Sequence, residues 1–307
     1  MVKESNIEEL KRSVDNLISK YLIDYHFYFE DFTSGKILET GIDKPYPISS
    51  CFKIGVVGAY LESLNDYSVL EEILTVEKND IQPGGGVLNL LECPFPISNR
   101  NLLQLILSNS DGTATDLIIA QIGLEKVKQY IYRYTKKTRL AHNLGDLVRA
   151  TLNEYQKAHS QFPNQNHREI YERIFEEKTL KEDYTNAKDL VELLKGFFDD
   201  TSSNVELKKK FWKNGRGYLT WTERFFPADV KFYGKTGSLG YGTAMNDCGI
   251  IMRDNIPLCV FALCANKWKV PKHINGHIFG LMGVEILKYF KIDSYQFWDC
   301  KIEPIEF

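Results

Sequence analysis

No run of apolar residues in this 307-residue chain approaches the roughly 18 that cross a membrane, so no membrane span is expected. The opening stretch, MVKESNIEELKRSVDNLISKY, has no apolar block either, which argues against a secretory signal and for a cytoplasmic protein, unless a leader has been removed. Charge of neither sign is in excess: 38 Lys and Arg against 41 Asp and Glu leave a net charge of −3. That excludes a basic field for nucleic acid and a polybasic membrane anchor. Cysteine is sparse, and Cys51, Cys93, Cys248, Cys259, Cys264 and Cys300 form no CxxC pair and no metal-ligand spacing. They read as reduced thiols, with neither metal nor cofactor expected. Repeats, low-complexity stretches and flexible linkers are also missing.

What is there is a globular composition, 43% hydrophobic and 13% aromatic, in a chain long enough for two lobes around a shared core. Ile7, Leu10, Val14, Leu17 and Ile18 make a helical stripe. DYHFYFED (24–31), a Thr-Ser-Gly turn at 33–35 and KILET predict a β-hairpin. Residues 50–64, 114–133 and 186–198 read as helices, and 140–185 as polar and irregular with a charged helical patch at 167–181. From 229 onward, VKFYGKTG, TAMNDCGIIMRD and PLCVFALCANK are three strand-like runs, and 273–291 is a closing helix. The predicted architecture is α/β (α+β), with one five-stranded antiparallel sheet drawing on both chain ends. The α/β lobe comprises 1–55 and 205–307, and an all-helical lobe, 56–204, is inserted.

Three short motifs carry chemistry. Ser50-Cys51-Phe52-Lys53 places a lysine about one helical turn from a serine at a helix start. A serine hydroxyl is a weak nucleophile until a base takes its proton, and a lysine that burial or a neighbouring positive charge keeps partly neutral can be that base. Ser110-Asp111-Gly112 offers a serine able to relay a proton, although such a triplet is also an ordinary turn signal. Lys235-Thr236-Gly237, on a strand, can hold a substrate carboxylate by charge and hydroxyl while the glycine lets substrate lie along the edge.

Taken together and in this order, the motifs resemble those of the class A serine β-lactamases and the related penicillin-binding proteins. Gly86-Val87-Leu88, TATDLIIAQIGLEKV, Gly242-Thr243 and Asn246-Asp247 extend the likeness over nearly the whole chain. The resemblance implies a class A β-lactamase-like fold and a hydrolase that cleaves an amide or ester through an acyl-enzyme on Ser50. Lys53 would be the base and Ser110 the relay to the leaving group. Lys235, Thr236 and Gly237 would bind the substrate, and the backbone N–H groups of Ser50 and Ser238 would form the oxyanion hole. The implied partner is a small molecule bearing a carboxylate and an amide, lactam or ester.

Two features depart from that family pattern. The Glu-x-x-Leu-Asn motif, whose glutamate drives deacylation in class A lactamases, does not occur between 138 and 186. Glu169 has a plausible offset, with Asp146 and Glu154 as weaker candidates; the ordinary alternative for Glu169 is a solvated helix charge. Gly112 stands where the family carries an asparagine. The substrate is therefore open between a non-lactam amide or ester, a β-lactam (a true β-lactamase) and a D-Ala-D-Ala peptide, and a slowly acylating sensor is a further alternative. Cys51 is expected to pack inward, His273 and His277 to serve packing or surface roles, and Gly84-Gly85-Gly86 lacks the Gly-Lys-Ser ending of a phosphate loop.

Overall fold

In the computed structural model, which describes residues 6–82, 85–161, 167–199, 207, 208, 211, 221–239, 244–268 and 272–294, the chain opens with helix α1 (Ile7–Tyr21). Its buried stripe, Leu10, Val14, Ile18 and Tyr21, keeps helical spacing. Strands β1 (Leu22–Asp31) and β2 (Ile37–Gly41) then form the expected hairpin. The Asp31 carboxylate holds its turn, accepting from Thr33 N at 2.7 Å and Ser34 Oγ at 2.5 Å, and Gly35 supplies the left-handed φ of +70°. A two-residue strand β3 (Tyr46–Pro47) leads into a 3-10 turn (Ser49–Phe52) and helix α2 (Lys53–Ser63).

Short strands β4 (Ile73–Val76) and β5 (Phe95–Ser98) pair ahead of helices α3 (Asn99–Ser108), α4 (Gly112–Ile122) and α5 (Leu124–Tyr134). The single helix read over 114–133 is thus two. Gly123, at φ +85°, caps α4 and starts α5, a conformation that side chains disfavour. The segment 140–185 departs in part: the helical patch expected at 167–181 is present, but the stretch before it, read as irregular, is helical as well. It holds two long helices, α6 (Leu144–Gln161) and α7 (His167–Glu182), which pack on each other with Tyr155 edge-on to Tyr171 at 5.9 Å. Because each helix covers the other, a narrow apolar seam among charges suffices, and the sequence shows little periodicity. Strand β6 (Tyr184–Thr185) pairs with β3 and precedes helix α8 (Ala187–Phe197).

Strands β7 (Val230–Ser238), β8 (Ala244–Arg253) and β9 (Ile256–Trp268), then helix α9 (Lys272–Tyr289), complete the described chain. The sheet runs β2-β1-β9-β8-β7, antiparallel throughout, which is the predicted five-stranded sheet. Both faces are buried. Cys248, Ile250, Val260, Ala262 and Cys264 face a core shared with α2, α4, α5 and α8, while Met245, Ile251, Phe261 and Leu263 face α1 and α9. Two-sided burial explains why these strands read as nearly unbroken apolar runs. No described helix is long and apolar enough to cross a membrane.

Candidate active site

Ser50 lies in the 3-10 turn, which its own closing bond and three neighbours hold. Asn246 Nδ2 donates to Pro47 O at 2.8 Å, Ile48 N donates to Asp183 O at 3.0 Å, and Cys51 N closes back on Ile48 O at 3.2 Å. Gly237 packs so closely that a Cβ there would stand 3.0 Å from Cys51 Sγ and from Ser49 Cβ. Ser49 itself adopts φ +49°, a left-handed conformation that is uncommon for a residue with a side chain. Cys51 is fully buried, as expected for a small core residue. The five described cysteines are free thiols, and Cys300 lies outside the described residues.

Lys53 begins α2 and is buried to 1% exposure. Its Nζ does not turn back along the helix but donates to the backbone carbonyl of Ser110 and, at 3.1 Å, to Ser110 Oγ. Lys235, equally buried on β7, donates to the same Ser110 Oγ at 3.0 Å and to Thr236 O at 2.7 Å. Burial, reinforced by the charge of Lys235, brings Lys53 down to about 7 against the opposing pull of Asp111 and Asp116. Burial brings Lys235 down to about 8, with Cys51, Cys248 and Asp247 opposing it. A neutral Lys53 has two N–H bonds and one lone pair. Ser110 takes both N–H groups, which leaves the lone pair for a proton from a neighbouring hydroxyl.

Ser110 stands between α3 and α4 at φ +55°. Asp111 has a structural task. It caps α4 through Ala114 N at 2.9 Å and ties down the preceding loop through Val87 N at 2.7 Å and Leu88 N at 2.9 Å. Gly86, at φ +138°, lies against it so tightly that a Cβ would fall 2.3 Å from Asp111 Oδ2. The glycine-rich stretch thus serves close packing; Gly84 lies outside the described residues. Gly112 has a physical reason too, because a Cβ there would stand 2.5 Å from Leu144 Cδ2.

Residues that the motifs did not single out complete the surroundings. Asp116, one turn beyond Gly112, accepts from Leu144 N at 3.1 Å and Gly145 N at 2.8 Å and so docks the start of α6. Burial raises its carboxyl above the usual range, against those two N–H bonds. An acid within the otherwise apolar ATDLIIA was the available signal. His142 Nδ1 meets Asp183 Oδ2 at 2.8 Å, and Asp183 also accepts from Ala141 N and His142 N. Nothing local in the sequence announces this pair, whose members come from opposite ends of the α6–α7 segment. Beneath β7, Asp247 is fully buried with Thr222 Oγ1 donating to it at 2.6 Å, and burial pushes its carboxyl up to about 7. Thr236, beside it in register, is buried, and Ser238 is exposed at the end of β7.

The deacylating acid expected from the sequence separates differently. Asp146 pairs with Arg149 at 2.9 Å and Glu154 with Lys178 at 3.3 Å, both on solvent-exposed helix faces, so neither belongs to the site. Glu169 falls within α7, but its side chain lies outside the described residues, as does that of His273. His277 packs edge-on to Phe225 at 5.3 Å. Next to Ser50 is a cavity of about 60 Å³ whose walls include Phe52, Leu140, Leu144, Leu147 and Phe175.

The sequence matches the Beta-lactamase enzyme family over residues 9–290. It is 24% identical over 270 residues to a protein named beta-lactamase from Bacteroides uniformis, covering 82% of this chain and 81% of that one. The fold is similar to the crystal structure of a beta-lactamase from Sphaerobacter thermophilus DSM 20745, with a TM-score of 0.72 at 17% identity, over 92% of this chain and 97% of that one. It is also similar to a PBP-A variant solved as its acyl-enzyme complex with penicillin G, with a TM-score of 0.69 at 18% identity, over 94% and 99%. Set beside three motifs gathered around one hydroxyl, the match over nearly the whole length identifies the chain as a member of the Beta-lactamase enzyme family, a serine hydrolase with the class A fold.

Proposed function

We propose that this hydrolase acts by acyl transfer to Ser50 and that its acyl-enzyme is long-lived, so its own substrate is an amide or ester other than a rapidly hydrolysed β-lactam. The observation that carries the reading is the convergence of Lys53 and Lys235 on Ser110 Oγ beside the Ser50 turn. Neutral Lys53 takes the Ser50 proton as Oγ attacks the carbonyl carbon. The oxyanion is held by the N–H groups of Ser50 and Ser238. Ser110 Oγ, already accepting from both lysines, turns its own O–H toward the departing nitrogen or oxygen and is reprotonated from Lys53. A cationic Lys235, with Thr236 beside it and Gly237 leaving room at the strand edge, pairs with a carboxylate on the leaving portion. PBP-A in its penicillin G complex is a precedent for an acyl-enzyme on this fold.

Deacylation needs a base within hydrogen-bonding reach of a water next to the ester. Leucines and phenylalanines make up much of the cavity wall beside Ser50, and its one His–Asp pair is bonded together, which supports slow release. The test is intact mass spectrometry after exposure to penicillin G, a cephalosporin and small activated esters, followed by peptide mapping. An adduct on Ser50 that persists for minutes with penicillin, and is missing in Ser50→Ala while that variant keeps its thermal transition, is the expected result. Adducts elsewhere, or with none of the reagents, would overturn the reading. The name of the Bacteroides uniformis relative favours a second reading, a true β-lactamase. That reading requires penicillin turnover at tens per second, and Glu169→Gln would abolish it if Glu169 is the base.

A further inference from the structure

The cavity beside Ser50 is a feature that acylation does not use. Its lining includes Ser50 and Ser238 together with Phe52, Leu140, Leu144, Leu147 and Phe175. Leu144, Leu147 and Phe175 are only half-buried, so part of each side chain faces open space. Of the other polar side chains in its lining, Ser49 Oγ is buried without a partner and the rest are engaged within the protein. His142 bonds to Asp183, Thr179 Oγ1 donates to Phe175 O at 2.5 Å, and Asn143 Oδ1 accepts from Asp146 N at 2.8 Å. A space of about 60 Å³ has room for a few waters, but it gives them few free partners, and apolar cavities of this kind favour apolar contents.

Position fixes which part of a substrate enters. Lys53, Ser110 and Lys235 do not line the cavity, which is therefore separate from the groups proposed to hold the leaving portion and its carboxylate. What remains covalently on Ser50 is the acyl portion. We infer that this cavity is an acyl subsite that takes a short, branched aliphatic group attached to the scissile carbonyl. The inference rests on the acyl-enzyme reading above and narrows its substrate class. It also accounts for a persistent adduct: a filled apolar cavity admits no water from that side.

The experiment is a series of thioesters of mercaptoacetate, which share one carboxylate-bearing leaving group. Acetyl, propionyl, isobutyryl, isovaleryl and octanoyl derivatives are compared by second-order rate of thiol release and by adduct mass on Ser50. The rate is expected to rise about fourfold for each methylene buried, peak at isobutyryl or isovaleryl and fall at octanoyl. Leu147→Ala, which enlarges the cavity, should move the peak to a longer chain. Acylation of Ser50 at rates that are flat across the series, or that fall steadily from acetyl, overturns the subsite while leaving the acyl-enzyme reading intact. Failure of every thioester to modify Ser50 overturns both, and the missing adduct distinguishes that case from a flat series.

Discussion

Lys53 and Lys235 share one acceptor: both ε-amino nitrogens donate to Ser110 Oγ, at 3.1 and 3.0 Å, from opposite sides of the site. Two buried ammonium groups around one hydroxyl repel each other, and burial already disfavours charge on each. The arrangement is most stable with one lysine neutral. Lys53 is the one brought lower, to about 7, against about 8 for Lys235.

The pH dependence of acylation follows from that order. Lys53 must lose its proton to act as base, so the rate rises as pH passes about 7. Lys235 must keep its proton to pair with a carboxylate, so the rate falls as pH passes about 8. Carboxylate-bearing substrates should therefore give a narrow bell in the second-order rate, which reports the free enzyme. Neutral esters should show the rising limb alone. Stopped-flow acylation measured from pH 5.5 to 9.5 with both substrate types checks this.

Lys235→Ala separates binding from proton transfer. Loss of a charge-assisted contact to carboxylate costs on the order of 1.5–3 kcal/mol, or roughly 10- to 150-fold in rate, for carboxylate-bearing substrates. Neutral esters should lose much less, and their rising limb should shift to higher pH, because Lys53, still buried and bonded to Ser110, no longer feels the neighbouring cation that helps to lower it. Equal losses on both substrate types would show that Lys235 acts through Lys53 alone. Paired kcat/KM values for matched acid and methyl ester substrates decide it.

Gly86→Ala probes the support of the second motif. A Cβ there would collide with the Asp111 carboxylate, and the φ of +138° is one that side chains rarely adopt. The substitution should destabilise the fold by about 2 kcal/mol or more and slow acylation in the surviving folded protein, since Asp111 holds the chain next to Ser110. Urea titration with unchanged slope, alongside the acylation rate, is the measurement.

Leu144→Glu tests whether release is limited by the apolar wall. Leu144 lines the same cavity as Ser50, so a glutamate there brings a carboxylate to its wall. Decay of a penicilloyl adduct should accelerate at least about tenfold, within the range typical for installing a general base. The adduct lifetime is read by mass spectrometry, with Leu144→Gln as the control for polarity without basicity. Equal acceleration by both variants would assign the effect to water entry.

The sequence by itself determined the three motifs and the sheet. Ser50 with Lys53, Ser110 and Lys235 with Thr236 sit in short motifs whose residue types and order are visible without coordinates. Strands β7, β8 and β9 are visible because burial on both faces leaves long apolar runs. Tertiary structure alone decided what those motifs touch. That Lys53 turns to Ser110, that Asp111 is a cap and a loop anchor, and that Gly112 is small because Leu144 presses on it all depend on contacts between segments far apart in the chain. Helix α7 was legible as the charged helical patch at 167–181, but α6 escaped the sequence reading for the same reason: its partly apolar face packs on another segment rather than on the main core. The wall these helices place beside Ser50 depends on how helices pack across a gap, which no local pattern of residues encodes.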